Sequence, residues 1–255
     1  MDRKSLKLPF RENSPPDWMC PTCRKGTLRI KKGTFFKEEL RSSRYHSHDE
    51  WEPGWIEYVY SCLLLCTNDQ CKEIVACSGI GSVEADYGED EDGQPVQEYD
   101  DFFRPKYFEP PLHLLLMPNA CPESVAIPMK ESFRLFFSSP SAASNCVRSA
   151  VEELLTELKV KRFNLKDGKR RFISLHARIA LIPAKYGELK DLILAIKWLG
   201  NAGSHGTVGE GGISMDDVMD SYELMEHVLG EIYAPKKKKL AALAKKVNKQ
   251  KGPSK

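Results

Sequence analysis

The sequence has no run of eighteen or more apolar residues, and this absence predicts that no segment spans a membrane. The first eighteen residues, MDRKSLKLPFRENSPPDW, lack an apolar core and a small-residue cleavage site, so we expect no secretory signal. Both absences favour a cytoplasmic protein in a reducing compartment. There, the eight cysteines are expected to serve as metal ligands rather than as disulfide partners.

Charge of one sign is missing from two segments. Residues 236–255 hold nine lysines and no acid, whereas residues 84–101 hold nine acids and no base. Because the net charge is only +2, the first 235 residues carry about −7 without this lysine-rich tail. Such a body is not the surface of a protein that wraps duplex DNA. The tail is either a solvated segment or a source of salt-sensitive attraction to phosphates.

Two short cysteine pairs indicate a metal site. CPTC (residues 20–23) and CTNDQC (residues 66–71) each place two thiols in a tight turn. Four thiolates suit the tetrahedral coordination of Zn²⁺ and leave no open position for catalysis, so we predict a structural zinc ion. The alternatives are unligated thiols, or Cys62 as a rival ligand. The predicted zinc ligands are Cys20, Cys23, Cys66 and Cys71.

The apolar periodicity changes from that of strands to that of helices near residue 140. WIEYVYSCLLLC (residues 55–66) and EIVACSGIGSV (residues 73–83) predict paired strands. The later spacing predicts helices over residues 139–160, 188–205 and 214–234, and a further helix within residues 171–187 that ends near Pro183. It also predicts a basic loop over 161–170 and an exposed helical stretch near 237–249.

The predicted fold class is therefore α+β, with a small β-rich, zinc-ribbon-like domain followed by an antiparallel helical bundle. The predicted segments are a flexible N-terminus (1–17), a zinc-ribbon-like β domain (18–83), an acidic loop (84–101), a proline-rich ordered connector (102–139), a helical bundle (140–235) and the lysine-rich tail (236–255).

The third predicted helix ends in an unusually polar stretch, IKWLGNAGSHG (residues 196–206). Lys197, Asn201, Ser204 and His205 recur at i, i+4, i+7 and i+8, a spacing that stacks them along one helix face. Two glycines interrupt the same stretch.

Arg148 and Glu152 lie four residues apart on the first predicted helix. If the first and third helices pack together, these side chains and the polar stretch converge into a set that can grip a phosphate or perform acid–base work. The alternative is a buried polar network that sets the helix register, with Gly200 and Gly203 allowing close approach.

The chain resembles the bacterial domain-of-unknown-function family 4145, roughly over residues 18–83 and 100–235. The resemblance is carried by NCVRSAVEELL (145–155), LHARI (175–179) and above all AIKWLGNAGSHG (195–206). That family is in turn similar to HEPN (higher eukaryotes and prokaryotes nucleotide-binding) helical bundles, whose active members are metal-independent ribonucleases that usually work as dimers. The resemblance thus implies a HEPN-like bundle, a homodimer and a role in bacterial anti-phage or toxin-like systems.

Active HEPN members carry an Arg, a polar residue and a His at the end of a helix. In this chain Asn201 matches the polar residue, His205 matches the His, and Gly200 stands where the Arg would be. Cleavage through the 2′-hydroxyl also needs a cation for the charge that builds on phosphorus, and glycine offers none. Lys197 or Arg148 is the candidate replacement.

Three functions follow from these features. The first is a non-catalytic or regulatory module that binds nucleic acid, a nucleotide or a protein partner. The second is a metal-independent endoribonuclease in which His205 is the general acid or base, Asn201 positions the phosphate, Lys197 or Arg148 supplies the cation, and Glu152 and Ser204 support them. The third is a purely structural protein. We favour the first function. The chain is an enzyme only under the second.

Overall fold

The computed structural model describes residues 2–89, 94–205, 212–234 and 236–250. It shows a mixed α+β protein, as predicted, which divides into two units: Met1–His113 with Phe133–Ser139, and Leu114–Ser132 with Pro140–Lys255. Within the described ranges, no helix is both long enough and apolar enough to cross a bilayer.

The strands are β1 (Leu28–Ile30), β2 (Phe36–Glu39), β3 (Glu57–Cys66), β4 (Ile74–Glu89), β5 (Pro95–Glu109), β6 (Phe163–Lys166) and β7 (Lys169–Phe172). The helices are α1 (Arg3–Lys7), α2 (Glu123–Leu135), α3 (Pro140–Glu157), α4 (Leu175–Ala180), α5 (Lys190–His205), α6 (Met215–Tyr233) and α7 (Lys236–Gln250).

The first unit is built on an antiparallel sheet in the order β1-β3-β4-β5, with β2 also pairing with β3. Along β3 the even-numbered positions from Tyr60 to Cys66 are buried, because alternate side chains of a strand point to one face. Aromatic rings fill this face: Tyr60 lies 5.1 Å from Phe103 and 5.8 Å from Phe10, with T-shaped geometry.

The N-terminal segment, predicted to be flexible, is ordered over residues 2–17. Its Phe10 is buried and exchanges two backbone hydrogen bonds with Phe103, of 2.9 and 2.8 Å. The next residue, Arg11, forms ion pairs with Asp86 and Asp100. The prediction was wrong because proline and charge in the sequence do not reveal a distant strand that accepts this segment.

The predicted acidic loop is also wrong over most of its length. Residues 84–89 continue β4, and residues 95–101 begin β5. Glu84 is paired opposite Asp100, but an ion pair between Arg104 and Glu84 (2.8 Å) offsets the repulsion and lowers the pKa of Glu84. Likewise, the predicted connector (102–139) contains the end of β5 and the whole of α2.

In the second unit, three predicted helices are confirmed as α3, α5 and α6. The start of α6 follows from its sequence, since Ser214 accepts a hydrogen bond from the backbone N–H of Asp217, whose carboxylate accepts one from the N–H of Ser214. The second predicted helix, expected to end near Pro183, is confirmed only in part: α4 covers Leu175–Ala180, residues 171 and 172 belong to β7, and a 3₁₀ segment follows at Ala184–Leu189.

The basic loop predicted over residues 161–170 is instead part of a β-hairpin, β6–β7. Its turn is Asp167–Gly168, with φ angles of 53° and 70°. A two-residue turn with both φ angles positive matches the twist of the flanking strands, and Asp-Gly is a preferred sequence for it. The sequence thus contained a hairpin signal that the helical pattern on either side obscured.

The central contact of this unit is the crossing of α3 and α5. Buried Ser144 on α3 donates a hydrogen bond of 3.2 Å to the carbonyl of Leu199 on α5. One turn further along α3, the Arg148 side chain passes over Gly200: a Cβ at residue 200 would lie 2.9 Å from the Arg148 Cβ. Glycine at this position therefore permits the close approach of the two helices.

We expect Gly200→Ala to lower the free energy of unfolding by about 1–2 kcal/mol, because the added methyl group must push α3 and α5 apart. Gly230→Ala is the matched control, since a Cβ on Gly230 of α6 meets nothing within 4 Å. There alanine should stabilise by about 0.5–1 kcal/mol through its higher helix propensity. Urea unfolding followed by far-UV circular dichroism measures both; equal stabilisation would contradict the packing argument.

Candidate functional site

The four predicted metal ligands meet in one cluster, here called the cysteine cluster. Its members are Cys20, Cys23, Cys66 and Cys71, and their Sγ atoms all lie within 4.8 Å of one another. The Sγ–Sγ distance is 3.8 Å between Cys20 and Cys71 and 3.6 Å between Cys23 and Cys66. A tetrahedral ion with metal–sulfur bonds of about 2.3 Å separates its sulfurs by about 3.8 Å, so the cluster can hold a metal ion.

Local backbone geometry builds both halves of the cluster. The residues that follow the second cysteine of each pair, Arg24 and Lys72, have φ angles of 53° and 52°. Gly26 lies against the cluster so closely that a Cβ there would stand 2.7 Å from the Cys66 Sγ. Each turn is therefore shaped to present its two sulfurs to one point.

The thiols of the cluster have different acidities. Hydrogen bonds from the backbone N–H groups of Gly26 and Lys25 lower the pKa of Cys23 to about 6. Burial raises the pKa of Cys66 to about 12. A bound cation is what allows four crowded thiols to be thiolates together.

Cys62, the predicted rival ligand, lies outside the cluster. It is buried in β3 and paired with Cys77 of β4. The Cys77 Sγ lies 3.4 Å from the Tyr60 hydroxyl, so this second pair of thiols belongs to the core of the sheet. Among the described residues, the cysteine cluster is the one group with metal-ligand geometry.

The α3–α5 crossing brings together two of the residues singled out in the helical motif. Arg148 and Lys197 form what we call the cation pair. Lys197 is only 7% exposed, and burial together with the positive charge of Arg148 lowers its pKa. The Nε of Arg148 lies 3.6 Å from a carboxylate oxygen of Glu152, the residue predicted to support it.

Other members of the predicted motif are less fully defined. Asn201 is half-buried one residue beyond Gly200, on the same helix as Lys197. The backbone of α5 continues to His205, but the side chains of Ser204 and His205 lie outside the described residues. The structure therefore leaves their predicted roles as predictions.

Sequence reasoning missed two residues of the helical unit, Trp198 beside the cation pair and Arg178 packed against the end of α3. Trp198 is 55% exposed, the Lys197 ammonium lies 3.2 Å from its ring centroid, and the His176 ring is 6.1 Å away. The sequence feature that could have identified Trp198 is its position on the polar side of an amphipathic helix. Arg178 is fully buried: its Nη2 donates to the Thr156 hydroxyl (3.0 Å), and its pKa is lowered by burial. Arg178 lies in the LHARI motif, where the sequence pattern indicated only that it belongs to a helix.

Two family models match separate parts of the chain. Residues 8–108 match a domain of unknown function, DUF8608, and residues 130–250 match a domain of unknown function, DUF4145. No curated protein and no solved structure matches the chain. The N-terminal part, which we had included in the resemblance to family 4145, thus matches a different family. For the helical part the predicted resemblance is confirmed: residues 130–250 match the model of the DUF4145 family.

Proposed function

We propose that the helical domain is a phosphate-gripping module that binds nucleic acid or a nucleotide without cleaving it. The observation that carries the proposal is the cation pair: the Arg148 side chain crosses α5 at Gly200, three residues after Lys197, and Lys197 is only 7% exposed. Among the described residues, Lys197 has no carboxylate within ion-pair distance, and Arg148 has Glu152 alone, at 3.6 Å.

The physical reason is the cost of placing two like charges together. Removing an ammonium from water and setting it beside a guanidinium both disfavour the charged form. An anion bound between them offsets both effects, and hydrogen bonds from charged donors to phosphate oxygens are stronger than neutral ones. Asn201 supplies an amide donor close to this point.

The proposed oligomeric state and cellular role of this module follow from the resemblance to family 4145 and HEPN bundles. We propose a HEPN-like bundle that acts as a homodimer in the reducing cytoplasm of a bacterium, in an anti-phage or toxin-like system, with a protein partner as the other kind of ligand. The exposed helix α7 carries lysines of the tail. These would add attraction to phosphates that weakens with salt.

We also propose that the cysteine cluster binds a structural zinc ion. Four thiolates complete a tetrahedral shell and leave no position for substrate, so the ion would hold the zinc-ribbon-like turns together rather than act in catalysis. Such an ion supplies folding free energy to a small β domain.

The phosphate grip is tested by fluorescence anisotropy with a labelled single-stranded RNA of twelve nucleotides. We expect Arg148→Met and Lys197→Met each to raise the Kd about tenfold or more, because each removes a charged hydrogen-bond donor. Each should also reduce the slope of log K against log salt by about 0.7.

Lys130→Met is the matched control for this binding measurement, because Lys130 is an exposed lysine of α2 and its replacement removes the same charge. Its Kd should stay within about twofold of that of the unaltered protein. If all three variants bind alike, the cation pair is not the site.

One observation favours endoribonuclease activity as a second candidate. Gly200 leaves no cation at the position that the HEPN pattern reserves for Arg, yet the Arg148 side chain crosses that position, 2.9–3.6 Å from where a Cβ of residue 200 would stand. A cation from the neighbouring helix could therefore serve His205. Loss of such a group commonly costs about 100- to 1,000-fold in rate.

Cleavage of total RNA and transfer RNA in EDTA separates the two candidates. We expect no cleavage by the unaltered protein, in keeping with a binding module. Cleavage that disappears in both His205→Ala and Arg148→Met would instead establish the endoribonuclease. Circular dichroism of each sample in the same buffer checks that EDTA has not unfolded the protein.

The zinc proposal predicts one Zn²⁺ per chain by inductively coupled plasma mass spectrometry. Cys20→Ala should abolish the bound zinc, since three thiolates hold the ion far more weakly. Cys62→Ala is the matched control, because Cys62 is also buried but lies outside the cluster, and it should keep the full zinc content. Equal zinc loss in both variants, or a metal-free protein with unchanged melting, would refute a structural zinc.

A further inference from the structure

The β6–β7 hairpin, Phe163–Phe172, has an unusual surface for its size and is here called the basic hairpin. With the two residues that precede it, its sequence KRFNLKDGKRRF contains six basic residues and one acidic residue. Its apolar side chains are also in water: Leu165 is 80% exposed, Phe172 58% and Phe163 36%. A small hairpin is only marginally stable by itself. Apolar side chains that it exposes to water are therefore better explained by a binding role than by stability.

The strand register sorts these side chains onto two faces. Phe163 is paired with Phe172 and Leu165 with Arg170, which places all four on one face. The two phenylalanine rings lie 5.5 Å apart, and the Arg170 guanidinium stands 3.8 Å from the Phe163 ring centroid. This face is therefore a set of exposed π-surfaces.

The opposite face of the hairpin is basic. Asn164 is paired with Arg171, and Lys166 with Lys169 at the turn. Arg171 and Lys169 are exposed. Exposed rings on one face and cations on the other match the two parts of a single-stranded nucleic acid, namely bases that stack on flat surfaces and phosphates that attract positive charge.

A second pair of exposed rings lies beside the cation pair. His176, at the start of α4, lies four residues after Phe172, is exposed, and has its ring 6.1 Å from that of Trp198. Trp198 in turn carries the Lys197 ammonium over its face. A strand whose phosphate occupies the cation pair would thus meet stacking surfaces beside that pair as well as those of the hairpin.

The end of the hairpin argues against a membrane as its partner. The turn is Asp167–Gly168, and it is flanked by Lys166 and Lys169. Inserting this charged end into hydrocarbon would cost far more than three apolar side chains return, and Asp167 would be repelled by anionic headgroups. A polyanion with bases fits both faces.

We propose that the basic hairpin is a stacking platform for single-stranded RNA, with Phe163, Leu165 and Phe172 of one face receiving bases and Lys169 and Arg171 contacting phosphates. The proposal rests on the proposed function, because it names the ligand of the same helical unit. It assigns sequence-tolerant affinity to the hairpin, since every base has a face that can stack.

The test measures binding of three labelled probes by fluorescence anisotropy with the full chain: a twelve-nucleotide single-stranded RNA, the same strand in duplex form, and an abasic oligomer of equal charge. Leu165→Ala/Phe172→Ala should weaken binding of single-stranded RNA about tenfold or more and leave binding of the abasic oligomer unchanged. The unaltered protein should bind the single strand more tightly than the duplex.

Lys169→Gln/Arg171→Gln should weaken binding of all three probes and reduce the salt slope for the single strand by about 1.4, the value for two lost phosphate contacts. Lys31→Gln/Lys32→Gln is the matched control, since it removes two exposed charges from the N-terminal unit. It should leave every Kd within about twofold. All these side chains are exposed, so the variants should melt like the unaltered protein.

The possible results separate this proposal from the proposed function. Weakening by Lys197→Met but not by either hairpin variant would overturn the platform and retain the phosphate grip. Weakening by the hairpin variants alone would retain the platform and overturn the grip. Equal loss of the abasic oligomer and RNA in Leu165→Ala/Phe172→Ala would overturn stacking. Hairpin-dependent binding to phosphatidylserine vesicles without RNA binding would overturn the RNA partner.

Discussion

The close approach of α3 and α5 is the constraint on which the helical domain depends. Gly200 leaves room for the Arg148 stem, and the hydrogen bond from Ser144 to the Leu199 carbonyl sets the register. With that register the Arg148 charge lies near Lys197, whose side chain has lost most of its water. A single side chain at position 200 would separate the helices and with them the two charges. Glycine here is the residue that allows a cation from one helix to serve the face of another.

Positive charge occurs in this domain in two physical forms. Lys197 and Arg178 are buried and Arg148 is half-buried, so packing sets their positions, and the charge of the buried groups is costly unless an anion or a hydrogen bond compensates it. Lys169, Arg170 and Arg171 of the basic hairpin and the described lysines of α7 are exposed, so they attract polyanions over a distance and are screened by salt. A buried grip gives position, whereas an exposed basic surface gives attraction. This arrangement would suit the proposed module for a single-stranded polyanion.

The N-terminal unit depends on a different kind of constraint. Its sheet buries one face against aromatic rings, and its cysteine cluster joins the end of β3 to two turns that have few apolar side chains of their own. Gly26 lies against the Cys66 sulfur, so the cluster is packed as closely as a core. A metal ion there would supply these turns with the folding free energy that a larger apolar core supplies in other domains. The separate family match of this region agrees with a unit that has its own source of stability.

Elements with local signals could be predicted from the sequence. The spacing of CPTC and CTNDQC indicated the four cysteines that meet in one cluster, the 3.6-residue period located α3, α5 and α6, and Ser214 marked the start of α6. Tertiary structure alone decided what depends on distant partners. Phe103 orders the segment around Phe10, Arg104 and Arg11 allow acidic strands to pair, and packing places Arg148 beside Lys197. The reason is physical: periodicity and turn chemistry are written within a few residues, whereas the pairing of strands and the convergence of charges depend on which surfaces meet.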